Sequence, residues 1–139
     1  HRVTLEALSE HLADKIVVDV VSNLAFVNGR AAAVAVPEGS AAEQAQEILP
    51  RSSIVSGFHN ISAVDLLDPS KNVAGDVVIC GDNIDAKKKV MELAKLIPDL
   101  RAVNGGGLAY SRYVEEFTAL LLNINRIYKA HAGIQIVGI

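Results

Sequence analysis

Short apolar runs rich in β-branched residues alternate along this chain with segments of helical spacing, and that alternation restricts the fold more than any other feature. Lys15-Ile16-Val17-Val18-Asp19-Val20-Val21, Ser53-Ile54-Val55-Ser56-Gly57-Phe58 and Asp76 to Cys80 read as strands of a parallel sheet covered on both faces. A shorter strand is expected at Leu100 to Val103 and a closing one at Ile134 to Val137. Helical spacing occurs at Leu5, Leu8 and Leu12, at Val90, Leu93, Ala94 and Ile97, and over residues 110 to 131. Ser40 with Glu43 three residues on predicts a helix start, and that helix should stop near Pro50. Residues 25 to 40 read as a long loop and residues 64 to 75 as an irregular linker. The pattern predicts an α/β fold, the C-terminal part of a Rossmann-like parallel sheet with a small α/β domain after it. Ligands of such sheets bind beyond the carboxyl ends of strands, so Ser22-Asn23, His59-Asn60-Ile61 and Gly81-Asp82-Asn83 are expected to converge on one crevice.

Composition excludes several functions. The 139 residues carry a net charge of −3, with only 4% aromatic residues, which leaves neither a basic field nor stacking platforms for nucleic acid. Lys87-Lys88-Lys89 is the one dense basic run and reads as a solvated helix face. No apolar stretch reaches the ~20 residues that cross a bilayer, and no secretion signal opens the chain. The lone Cys80 lies in an apolar run, as a buried small hydrophobe does, so a cytoplasmic location is expected and no disulfide is needed.

Chemistry-bearing motifs are few. His59 directly follows a strand and precedes small and polar residues whose backbone could meet a flat ligand, although a structural histidine fits the same position. His1, His11 and His131 have no metal-ligand spacing with it, so no metal is expected. Asn104-Gly105-Gly106-Gly107 could cradle a phosphate or simply make a tight, closely packed turn. Arg112, Glu115 and Thr118 border a polar stripe on the last helix. Neither a P-loop, nor a G-x-G-x-x-G fingerprint, nor a G-x-S-x-G elbow occurs.

Taken together, KIVVDVVS (15–22), SGFHNISA (56–63), VICGD (78–82), Gly106-Gly107-Leu108 and SRYVEEFTALLLN (111–123) resemble the deazaflavin-dependent NADP oxidoreductases, in order and spacing. The resemblance covers nearly the whole chain but only the C-terminal portion of that family, whose members begin with a strand and a glycine-rich NADP loop. STEAP-type metal reductase domains share a related pattern, with Asn where this chain has His59. The resemblance implies hydride transfer between NADP(H) and coenzyme F-420, an 8-hydroxy-5-deazaflavin, the two rings stacked in a cleft. It implies His59 as the catalytic position and His59, Ile61, Ala63, Arg112 and Thr118 as cofactor-binding residues, to which Asn23 is added for its place after a strand end. Glu116 stands where the family can carry serine, beside a negatively charged coenzyme. Residues 1–64 would then end a nucleotide-binding domain and 65–139 form the small C-terminal one. Small-molecule coenzymes are the expected partners, along with a possible homodimer. The alternatives are a truncated binding or assembly module without activity and an NADPH-dependent metal reductase domain. With no glycine-rich loop, these residues alone are expected to bind NADP weakly or not at all.

Overall fold

The computed structural model describes residues 1–139 as strands β1 (Ile16–Asp19), β2 (Leu24–Val27), β3 (Arg30–Ala33), β4 (Ser53–Ser56), β5 (Gly75–Cys80) and β6 (Leu100–Gly106). The helices are α1 (Arg2–Leu12), α2 (Ala41–Ile48), α3 (Ala63–Leu66), α4 (Ile84–Ala94) and α5 (Ser111–Tyr128). The main sheet has the order β1-β4-β5-β6. β1 pairs in parallel with β4, Ile16 opposite Ser53, and β5 in parallel with β6, Gly75 opposite Leu100.

The β4–β5 junction is antiparallel, through Ser56 and Cys80, and the linker explains why. A parallel neighbour needs a crossover long enough to return the chain to the starting end of the sheet. Here the connection holds only α3, whose four residues advance about 6 Å, so β5 enters the sheet from the end where β4 left it. The eleven-residue α4 does provide a full return, and β6 is accordingly parallel to β5.

The expected loop at residues 25–40 is instead partly a hairpin. β2 and β3 pair from Leu24 opposite Ala33 to Val27 opposite Arg30, and Asn28 (φ 51°) with Gly29 (φ 72°) form the two-residue turn. Both positions need positive φ, which Asn-Gly supplies, and the resulting twist matches that of the strands. Asn123 of α5 donates to the Ala31 carbonyl at 2.9 Å and fastens the hairpin to the last helix.

Helices cover both faces of the sheet. Val55, Val77 and Ile79 pack with Ala86, Val90 and Ala94 of α4 on one side. On the other, Ile54 meets Leu5, Ala42, Ala45, Leu49 and Leu108, so neighbouring β4 residues serve opposite layers. Cys80 is buried with a free thiol, as its apolar neighbours predicted. Lys87 departs from the expected solvated face: it is buried and donates its Nζ to the Gly106 carbonyl at 2.7 Å.

No strand forms at Ile134–Val137. Asp76 takes that segment up by other means: its N–H donates to Ile134 O at 2.8 Å, and its carboxylate accepts the Ile136 N–H and the Arg101 guanidinium. Arg101 also reaches the carbonyls of Ile136 and Ile139. Side-chain bonds thus replace a backbone ladder.

Gly105 marks the closest approach of β6 to β5. A Cβ there would lie 2.5 Å from the buried Cys80 Sγ and 2.7 Å from Cγ1 of the half-buried Val78. Gly105→Ala is expected to cost about 1–3 kcal/mol by overpacking. Urea denaturation should show the loss reduced in a Cys80→Ala background, since the two sites compete for one volume.

Candidate functional site

β4 ends in an unusual turn. Phe58 has φ 67°, a conformation a bulky residue holds only when its surroundings fix it, and such positions concentrate at functional sites. The turn sends the next two side chains inward: His59 is 7% exposed and Asn60 2%. Asn60 Nδ2 donates to the Asp76 carbonyl at 2.6 Å, which locks the amide orientation and leaves Oδ1 without a partner. Ser62 then caps α3 by accepting the Asp65 N–H.

Beside this turn lies a hollow of about 290 Å³, walled by His59, Ile61, Ala63, Thr118, Leu121 and Leu122 among others. Thr118 organises it. Its hydroxyl accepts from Ser22 at 3.1 Å and lies 3.1 Å from the His59 carbonyl, so one α5 side chain holds the ends of both β1 and β4. Both His59 ring nitrogens are buried without a hydrogen-bond partner, a costly condition that a bound molecule or water would relieve. Burial lowers the pKa of this imidazole, against an opposing pull from the Asp19 carboxylate, so the ring is neutral at pH 7.

Asn23 and Arg112 lie elsewhere. They border a crevice of only about 10 Å³ with Gly39, Ser40, Glu115 and Glu116, and Arg112 does not line the hollow beside His59. Arg112 stands 3.9 Å from Glu116 and 5.5 Å from the Tyr113 ring centre. Of the residues singled out in the sequence, the structure brings together His59, Ile61, Ala63 and Thr118, while Asn23 and Arg112 form a second group. The Ser22–Thr118 hydrogen bond links the two groups, since Ser22 adjoins Asn23. Glu115, beside Arg112 in the crevice, is 5% exposed and accepts the Ala41 and Ala42 N–H groups of α2 at 2.8 and 3.2 Å. Burial raises its pKa, partly countered by those two N–H groups.

Gly81-Asp82-Asn83 does not join the crevice. Because β5 runs antiparallel to β4, these residues emerge at the opposite end, where Asn83 Nδ2 bonds Ser53 Oγ at the start of β4. Asn104-Gly105-Gly106-Gly107 sits at that same end and is no phosphate cradle. The Gly106 N–H is taken by Asn104 Oδ1 and the Leu108 N–H by Asp82 Oδ1, a carboxylate that repels anions.

Sequence reading missed the outer wall of the His59 hollow, including Asn125 and His131. Asn125 accepts from the Ala132 N–H and ties down the turn after α5, and His131 Nδ1 meets Asp65 Oδ2 at 2.8 Å. Lys71 bonds the other oxygen of Asp65 at 3.0 Å, and this contact foremost holds the Asp65 pKa down to about 2. Asp65 and His131 are 66 positions apart, and no local pattern joins them.

Fold and hollow define a class: α/β domains with an opening beyond the carboxyl ends of parallel strands, the place where ligands of such sheets generally bind. Within it, the chain resembles the F420-dependent NADP reductases. It is 37% identical over 139 residues to the one from Methanocaldococcus jannaschii, covering 98% of this chain and 62% of that protein. Over 142 residues it is 35% identical to the one from Methanothermobacter thermautotrophicus, covering 99% and 61%. The chain therefore spans less than two thirds of the length of these relatives. Human metalloreductase STEAP2 is 32% identical over 126 residues, 91% of this chain and 24% of that protein. A crystal structure from Arthrobacter sp. FB24, described as a candidate F420-dependent NADP reductase, shares the fold with a TM-score of 0.83 at 24% identity, over 95% of this chain and 62% of that one. No family model matches.

Proposed function

We propose that this chain is part of an oxidoreductase that transfers hydride between NADP(H) and coenzyme F-420, and that the His59 hollow receives the deazaflavin ring. The observation that carries the reading is a hollow lined by His59, whose ring nitrogens are buried without a hydrogen-bond partner, in a chain similar along its length to F420-dependent NADP reductases. Coenzymes supply the chemistry, a hydride exchanged between two flat rings, so the protein needs no nucleophile or general base. Its residues position the rings and exclude water. Thr118 fixes the backbone at His59, and Ile61 and Ala63 line the hollow beside the imidazole. Asn23 and Arg112, in the adjoining crevice, would meet the second coenzyme or the far edge of the first. The metalloreductase reading has weaker support, at 32% identity over a shorter stretch.

We assign residues 1–64 to the end of the nucleotide-binding half and 65–139 to the C-terminal half. This is a division of role, since Val55 and Ile79 share one core across it. The free, buried Cys80 accords with a reducing, cytoplasmic location. On α5, Tyr113, Leu120 and Ile127 are exposed at seven-residue intervals, with Phe117 and Ile124 half-buried between them. That spacing is a helix-pairing seam, and it supports a homodimer through α5. Leu120→Glu is expected to halve the mass seen by light scattering; an unchanged mass removes the dimer.

The reading is tested with the full-length gene product, NADPH and the oxidised deazaflavin under anaerobic conditions. Bleaching of the deazaflavin band is expected, and no bleaching at millimolar NADPH refutes the assignment. Titration of the 139-residue polypeptide alone should give NADP affinity weaker than micromolar, because no glycine-rich phosphate loop is among its residues.

A further inference from the structure

After α5 the chain passes the His59 hollow once more. His131 and Ala132 line it, and the Ala132 N–H donates to Asn125 Oδ1, so this stretch forms part of the wall. From Gly133 to Ile139 the segment runs past the starts of β5 and β6, and none of its residues is buried. Val137 and Ile139 are 90% and 74% exposed, so apolar burial does little to hold it. An open hollow of about 450 Å³ borders both sides, lined by Asp76 and Arg101 of the sheet and by Ile134 and Gln135 of the segment.

Polar bonds centred on one residue take the place of packing. Asp76 is 1% exposed; its N–H donates to the Ile134 carbonyl at 2.8 Å, and its carboxylate accepts the Ile136 N–H. Arg101 Nε and Nη2 each donate to that carboxylate at 2.7 Å, and the same guanidinium reaches the Ile136 and Ile139 carbonyls. A planar fork of donors suits this double duty, orienting the carboxylate while bridging it to the segment. Asp76 also holds the opposite side of the His59 hollow. Its carbonyl accepts from Asn60 Nδ2 at 2.6 Å, and Asn60 lines that hollow directly after His59. Two walls far apart in sequence therefore hang on one buried residue.

We propose that Asp76 and Arg101 are positioning residues of the ring site, acting through segment 132–136, and that releasing this segment loosens the hollow around a flat ring. The inference rests on the reading of the hollow as a ring site. Neither residue lines the hollow, so their effect on a ligand passes through Ala132 and Asn60.

Two variants of the intact chain test it. Arg101→Ala leaves the buried Asp76 carboxylate with a single donor and lowers overall stability as well. Ile136→Pro is the sharper variant: it keeps the ion pair and removes only the N–H that the segment gives to Asp76. Without ligand, amide exchange followed by NMR should show the Ala132 N–H of Ile136→Pro exchanging roughly tenfold faster, with the buried Val90 and Ala94 amides of α4 unchanged. The side-chain amide signals of Asn60 should shift in the same variant. In fluorescence titration, the Kd for an 8-hydroxy-5-deazaflavin should rise roughly tenfold, about the worth of one lost hydrogen bond. Arg101→Lys, which keeps the charge but not the fork, should fall between the unaltered chain and Arg101→Ala. Unchanged deazaflavin affinity in Ile136→Pro overturns the proposal, and so does exchange that quickens as much at Val90 and Ala94 as at Ala132. If the deazaflavin does not bind the unaltered chain, the ring reading fails, and the Ala132 and Asn60 signals decide this inference. Their change in Ile136→Pro supports the coupled walls, and no change overturns them.

Discussion

His59→Ala in the full-length protein is expected to lower the rate of hydride transfer to the deazaflavin about a hundredfold while leaving the fold intact. The rate falls because two rings in near-attack contact tolerate little displacement, and an error of about 1 Å can cost that factor. The fold survives because the imidazole nitrogens make no hydrogen bond of good geometry in the protein, their pull on Asp19 and the Val21 backbone being secondary to burial. His59→Asn should recover part of the rate, since an amide also offers one donor and one acceptor group to a ring edge. Single-turnover stopped-flow, with circular dichroism for the fold, separates the two effects. An unchanged transfer rate in His59→Ala would remove this residue from the site. The neutral state of the ring has a further consequence: between pH 7 and 9 its protonation should not alter the rate.

The second large effect is on stability. Glu115→Ala is expected to cost about 2–3 kcal/mol at pH 7, because the Ala41 and Ala42 N–H groups it receives are fully buried and have no water to turn to. The loss should spread to the hollow, since Thr118 lies one turn further along α5 and would loosen its hold on His59. The pH dependence has a definite sign. Burial raises the folded-state pKa of Glu115 above its ordinary 4.5, so its contribution is complete below about that pH and declines as pH rises through the elevated value. Glu115→Gln should therefore flatten the stability profile above pH 4.5 relative to the unaltered chain. Chemical denaturation at pH 5 and pH 8 measures this, and an identical ratio in both proteins contradicts it.

Much of the layered architecture was legible because β-branched runs and helix periodicity are local signals. Ile54 and Val55 lie in such a run and prove to serve opposite faces of the sheet. Strand direction was not local. The alternation rule assumes that each connection crosses the sheet, and the stretch after His59 contains too short a helix to do so, so Gly81-Asp82-Asn83 went to the wrong end. The hairpin at Asn28-Gly29 carried a readable sign, an Asn-Gly pair between short apolar stretches, obscured by the alanines of β3. The strand expected at Ile134–Val137 failed because the apolar pattern cannot register that Asp76 and Arg101 bind this segment through side chains. At the site, His59 stood out by following a strand directly, whereas the clasp of Asp65, Lys71 and His131 depends on contacts across more than sixty positions.

The seating of Glu115 against α2 bears on how a dinucleotide could ever be held. The amino end of a helix is where oxidoreductases of this architecture commonly seat a pyrophosphate, drawing on its exposed donors and partial positive charge. In α2 the first two donors face an internal carboxylate and the third is met by Ser40, so that berth is filled before any coenzyme arrives. Under the proposed function, the charged half of a dinucleotide would have to be anchored away from the start of α2, which is already engaged by Glu115 and Ser40.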